Sequence, residues 1–216
     1  MTTTIRSTGT DTAGPARTGV RRHHAVALAL TAPLVLGLAV DWVITGVTGT
    51  RTFVTDDAVS TPALSIAMNL LLGAAFLSLG WVLLREGARF ARLGRVPRWC
   101  RRILLVGTVA MAIGSLVVYP AQTLAGLDSG PLYAVSGALA ALALAATFLP
   151  ALVLGLTQIR RNALGVGGRL LSLAIPAVLL TGAVALLADD WASPVLLTMT
   201  VLLGISLLGV DTRHGE

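Results

Sequence analysis

Lysine is absent from this chain, cysteine occurs once and histidine three times in 216 residues. Each scarcity excludes something. The single cysteine, Cys100, can close no disulfide within the chain and cannot build a thiolate zinc or iron–sulfur site. Without lysine there is no Gly-rich Lys loop to grip a phosphate. The few histidines form no pair within an apolar run for haem. No Ser, Cys or His constellation supports hydrolysis, and no paired Asp motif answers to a prenyl diphosphate. Charge is scarce too: 12% of residues are charged, 55% are apolar, and the mean hydropathy is +0.84. A soluble domain needs a charged surface that this composition does not supply.

What charge there is has a pattern. Six long apolar stretches alternate with short loops. Fifteen of the sixteen arginines fall on the N-terminal tail, alternate loops and the C-terminal tail: Arg6, Arg17, Arg21 and Arg22, seven from Arg85 to Arg102, then Arg160, Arg161, Arg169 and Arg213. The intervening loops carry only Arg51, with Asp56, Asp57, Asp128, Asp189 and Asp190. Short basic loops stay in the cytoplasm. The distribution therefore predicts an all-α polytopic membrane protein of six transmembrane helices, arranged as three antiparallel hairpins with both termini inside. The net charge of +6 points to the anionic inner leaflet, at about 1 kcal/mol per Arg near the surface, rather than to nucleic acid.

The division predicted is a disordered cytoplasmic tail over 1–22, a six-helix transmembrane domain over 23–210 and a short cytoplasmic tail over 211–216. After Arg21 and Arg22 the first apolar run resembles a signal peptide. It resumes past Asp41 to give roughly 23 residues, enough to span, and reads as a retained first helix. The later spans are expected near 61–84, 103–123, 131–156, 170–188 and 193–210. Pro33, Pro150 and Pro176 lie inside spans and are expected to bend them. An acid, a small residue and then Pro62, Pro131 or Pro194 precede each even-numbered span. Duplicated hairpins would leave this pattern, but so would ordinary helix-start chemistry.

Asp41 is the only ionisable residue well inside a predicted span. A charged Asp at mid-membrane costs about 2.5–3.5 kcal/mol on insertion scales, so it should face protein or water. Steps of four place Pro33, Gly37, Asp41 and Thr45 on one narrow stripe, with Leu38 and Trp42 turned away. Asp41 is thus a candidate proton carrier, cation ligand or general acid, or else a hydrogen-bonded Asp near the headgroups. Asp56, Asp57, Asp189 and Asp190, with Asp128, fall on the same outer face and could join it as acid and base; the same positions suit solvated helix caps. His23, His24 and His214 read as solvated tail residues, and no metal or other cofactor is expected.

Arg85, Arg89, Arg92, Arg95, Arg98, Arg101 and Arg102 make the basic loop a candidate lipid-headgroup surface. Helical spacing of Arg85, Arg89 and Arg92 beside Phe90, Leu93 and Val96 predicts a short amphipathic helix on the inner leaflet. Small residues at four-residue steps predict packing faces at Gly137, Ala141 and Ala145, at Ala177, Thr181 and Ala185, and at Ala110 and Gly114. Asn69 is expected to bond between helices.

Three segments carry a family resemblance: Val59-Ser60 through Ala67-Met68-Asn69-Leu70 with Gly73, Gly114 through Tyr119-Pro120, and Leu132-Tyr133-Ala134 through Ser136-Gly137. Across roughly 30–210 the chain resembles the bacterial six-helix membrane family catalogued as domain of unknown function 998. Tyr119 stands for that family's aromatic residue at the end of helix 3, and Tyr133 lies where its His begins helix 4. The resemblance implies six helices and their topology; no activity is established for the family.

The function expected is a non-enzymatic component of the bacterial cytoplasmic membrane, acting through lipid contacts, a membrane-protein partner or a second copy of itself. Two alternatives remain. One is a membrane-embedded enzyme on a lipid or isoprenoid substrate, with terpenoid-cyclase-like acid/base chemistry at Asp41 and the outer Asp residues. The other is a small proton- or cation-coupled transporter.

Overall fold

The computed structural model describes residues 21–50, 52, 60–127, 129–159, 163–187, 191 and 193–210. Among them every regular element is helical. Helix α1 (Arg22–Thr48) ends at Gly49, whose φ of 67° lets its N–H turn back to the Thr45 carbonyl. Helix α2 (Pro62–Arg85) starts as the sequence predicts: the Thr61 hydroxyl accepts from the Leu64 N–H and Pro62 opens the first turn. After α3 (Gly87–Arg92) comes a continuous helical rod, α4 (Arg95–Ile113), a π-helical turn (Gly114–Val118) and α5 (Tyr119–Ala125). The π turn holds Leu116, whose carbonyl the Pro120 ring would otherwise strike four residues on. Helix α6 (Pro131–Gln158) follows.

The next rod breaks between α7 (Gly165–Ser172) and α8 (Ala174–Leu187), and Pro176 accounts for it. Its ring excludes the Ser172 carbonyl from the helical ladder, so α7 ends at that residue. Helix α9 (Val195–Ser206) completes the order.

Among the described residues, five rods are long and apolar enough to cross a membrane: Arg22–Thr48, Pro62–Arg85, Arg95–Ala125, Pro131–Gln158 and Gly165–Leu187. The segment expected to span over 193–210 holds only the twelve residues of α9, about 18 Å of helix against a hydrocarbon core of about 30 Å. Neighbours in sequence are neighbours in space: α1 packs on α2, α2 on α4, α4 on α6, α6 on α7, and α7 and α8 on α9. Contacts from α9 back to α1 close the ring. Leu142, Leu149 and Leu179 are each more than 60% exposed on its outside. That outer surface, with the five rods, is compatible with a multi-pass membrane protein.

Packing follows small residues, partly at the positions expected: Ala177 is buried. Gly137 and Ala141 are exposed, as are Ala110 and Ala185. The close approaches lie at Gly107 against Ala146 and Thr147 of α6, at Gly155 against the Leu171 carbonyl, and at Gly167 against the backbone of α9. Spacing alone marks several stripes on an all-apolar helix; only the neighbouring helix selects one. Asn69 bonds within its own helix, to the Ser65 carbonyl at 2.9 Å.

The ends of the helices are tied at one end of the ring. Val166 and Gly167 N–H groups, orphans at the start of α7, donate to the Val210 and Leu207 carbonyls, and Gly209 N–H returns to Leu164. Gln158 Oε1 accepts from the Ala163 and Leu164 N–H groups and closes the α6–α7 link. Arg101 Nε caps the end of α2 through the Leu83 carbonyl at 2.7 Å.

Candidate functional site

That same end carries a buried polar cluster. The start of α1, the end of α2 with the start of α3, and the end of α9 converge there and bring His23, His24 and Glu86 together. All three are buried, His24 at 1% exposure and Glu86 at 2%. The expectation that His23 and His24 are solvated tail residues is overturned. Helix α1 begins at Arg22, so both imidazoles stand in its first turn. His24 also opens the inward-facing stripe of that helix, with Ala27, Thr31, Leu34 and Asp41.

The stripe corrects a second expectation. An α-helix turns 3.6 residues at a time, so repeated steps of four drift about 40° per step around the axis. Steps of three and four alternately, back from Asp41 through Leu38, Leu34, Thr31 and Ala27, reach His24. Steps of four alone reach Pro33, which is exposed. Trp42 is not turned away either: its Nε1 donates to the Trp191 carbonyl at 3.0 Å, and the two rings meet edge to face.

Within the cluster, His23 Nε2 lies 3.2 Å and His24 Nε2 3.6 Å from Glu86 Oε1. His24 Nδ1 lies 2.9 Å from the Ser206 carbonyl. A carbonyl only accepts, so Nδ1 carries a proton and donates it. His24 Nε2 has no hydrogen-bond partner although it is buried. Two guanidinium groups reach Glu86: Arg89 Nε stands 3.0 Å from Oε2, and the more exposed Arg21 3.4 Å from Oε1. Gly209, at φ 86°, passes so close to Oε2 that a Cβ there would collide with the carboxylate. Glycine therefore lets the end of α9 close over the cluster.

Glu86 also lines a cleft of about 510 Å³ with Arg21, Arg85, Arg89 and Arg92, a size within the ordinary range of ligand pockets. Neither Arg85 nor Arg92 has a hydrogen bond or ion pair among the described residues. The remaining basic-loop residues divide. Arg98 bonds to the Gly94 carbonyl and Arg102 stacks over Trp99, while Arg95 is exposed. Helix α3 is present as expected but short, and its Phe90 is fully buried in the protein core.

At the other end of the ring Asp41 is buried, as expected, and its Oδ1 accepts from both the N–H and the hydroxyl of Thr52. Asp56, Asp57, Asp189 and Asp190, like Asp128 and His214, lie outside the described residues. Glu86 is the group that sequence reasoning missed. Its signal was available: it is the one carboxylate in a segment holding seven arginines. Against known proteins, no family model, curated protein or solved structure matches the chain.

Proposed function

We propose that this chain is a multi-pass protein of the bacterial cytoplasmic membrane, of the kind its resemblance to the unknown-function family implies, in which five rods cross and the shorter α9 with its flanking turns returns the chain to the inner side, so that both termini lie inside. It acts there as a non-enzymatic component that holds anionic lipid through its arginine-rich end. One observation carries this reading: four arginines border a single cleft, and two of them, Arg85 and Arg92, have no partner among the described residues. Guanidinium forks match phosphate oxygens and hold them in two-point contacts. At a helix end beside the inner leaflet, the phosphates within reach belong to headgroups. Asp41 supports the enzyme and transporter readings less well, because Thr52 donors already occupy its Oδ1.

Lipid retention in native mass spectrometry tests the reading. Purified from detergent containing equal phosphatidylglycerol and phosphatidylcholine, the protein should retain the anionic lipid, and the Arg85→Gln/Arg92→Gln double variant should retain roughly tenfold less. Equal retention of both lipids, or no loss in the double variant, would overturn it.

A further inference from the structure

We propose that His23, His24 and Glu86 form a binding site for a divalent transition-metal ion of the zinc class. Glu86 is shared with the arginine cleft, but the metal site does not depend on what that cleft binds. Four observations carry it.

The first is tautomer. His24 donates Nδ1–H to the Ser206 carbonyl, so a neutral imidazole presents a bare lone pair at Nε2. That is how metal-bound histidines are held: one nitrogen on the ion, the other N–H on a carbonyl that fixes the ring. The second is the orphan. Nε2 is buried, lacks a partner, and lies 3.6 Å from a carboxylate oxygen that likewise only accepts. Two acceptors facing each other at that distance are reconciled by a cation between them, either a proton on Nε2 or a metal ion, and metal titration tells the two apart.

The third is distance. A metal 2.0–2.1 Å from each donor of a tetrahedron sets donor–donor edges of about 3.3–3.4 Å. The edges from Glu86 Oε1 to the two imidazoles are 3.2 and 3.6 Å, on either side of that value, and the imidazole-to-imidazole edge, within 4.8 Å, is the one that closes when an ion binds. The fourth is the division of the carboxylate. Arg89 holds Oε2, which orients Oε1 toward the two imidazoles.

Two imidazoles and one carboxylate suit zinc, and also iron, more than magnesium or calcium, which prefer all-oxygen sets. Three protein ligands leave a fourth position open. With Arg21 and Arg89 on Glu86, that position favours water or an anionic oxygen over a further cation.

The test is Zn²⁺ titration of the full chain in detergent, purified with a histidine-free tag and stripped with chelator, with Co²⁺ absorption as a second readout. One Zn²⁺ per chain is expected, with visible Co²⁺ bands of tetrahedral intensity. His24→Ala and His23→Gln should each weaken binding at least tenfold. His23→Gln, at the more accessible imidazole, guards against a His24 variant that fails to fold, and unchanged helical circular dichroism verifies both. His214→Ala should bind as the parent does, and so should Arg85→Gln/Arg92→Gln, which separates this site from the lipid reading. A folded parent that binds no Zn²⁺, or whose binding survives both His23 and His24 substitutions, would overturn the proposal.

Discussion

Glu86 and Asp41 are both buried carboxylates, yet the two ends of the bundle treat them differently. They lie far apart: His24, beside Glu86, is seventeen residues from Asp41 along α1, about 26 Å of helix axis. Asp41 is satisfied by neutral donors from one nearby residue, Thr52, eleven positions on. That arrangement clasps the chain leaving α1 and asks nothing of the rest of the fold. Glu86 is met by groups from α1 and α3, with Gly209 closing over it from beyond α9. Its neighbours are imidazoles and guanidinium groups, and one nitrogen among them is unsatisfied. A neutral clasp is complete as it stands. The cluster at Glu86 is not, and an incomplete buried polar site is where a ligand belongs.

The strongest test of this contrast is positional. In a Cys100→Ser background, Arg95→Cys and Thr50→Cys place thiols at exposed positions on the two ends. An impermeant maleimide should label Thr50→Cys in intact cells and Arg95→Cys only after permeabilisation. Labelling of both from one side would place the two ends on the same face of the membrane. Cys100 itself is buried and serves poorly as a reporter.

Next comes stability in detergent, read by thermal unfolding. Glu86→Ala removes the carboxylate that half-buried Arg89, His23 and Arg21 share and should cost about 3 kcal/mol, the low end for a broken buried pair because Arg21 is solvent-exposed. Asp41→Asn keeps an oxygen for Thr52 and should cost about 1 kcal/mol, the difference between charged and neutral acceptors. Equal losses would abolish the distinction between the ends.

Packing offers a smaller contrast. Gly167→Ala pushes a methyl into the backbone of α9 and should cost about 1–3 kcal/mol, whereas Gly46→Ala meets a side chain, the Trp191 ring, rather than backbone. Trp42→Phe removes one hydrogen bond to the Trp191 carbonyl, about 1 kcal/mol, a loss like that of Asp41→Asn. The drop in melting temperature should be largest for Glu86→Ala and smallest for Asp41→Asn and Trp42→Phe.

Much of the fold was legible beforehand because its causes are local. Long apolar runs form helices, Thr61 and Pro62 start one, and Pro176 breaks another, whatever surrounds them. The inward placement of Asp41 also followed from its charge alone. The packing stripes did not, since a helix apolar on every side offers no preferred face until a neighbour chooses one; Gly107 and Gly155 were chosen, Gly137 was not. The His–Glu cluster was the least visible part. Its members lie 63 and 62 positions apart in the chain, and His24 reaches across 182 to Ser206.

From the residues alone came the class of molecule: apolar helical rods with arginine concentrated on alternate connections, properties that depend on composition and short-range order. The packing of α1 between α2 and α9 decided the rest. It set two histidines that read as tail against a glutamate that read as one charge in a basic loop. Burial, donor direction and an unpaired nitrogen are relations between distant segments, and no stretch of sequence contains them.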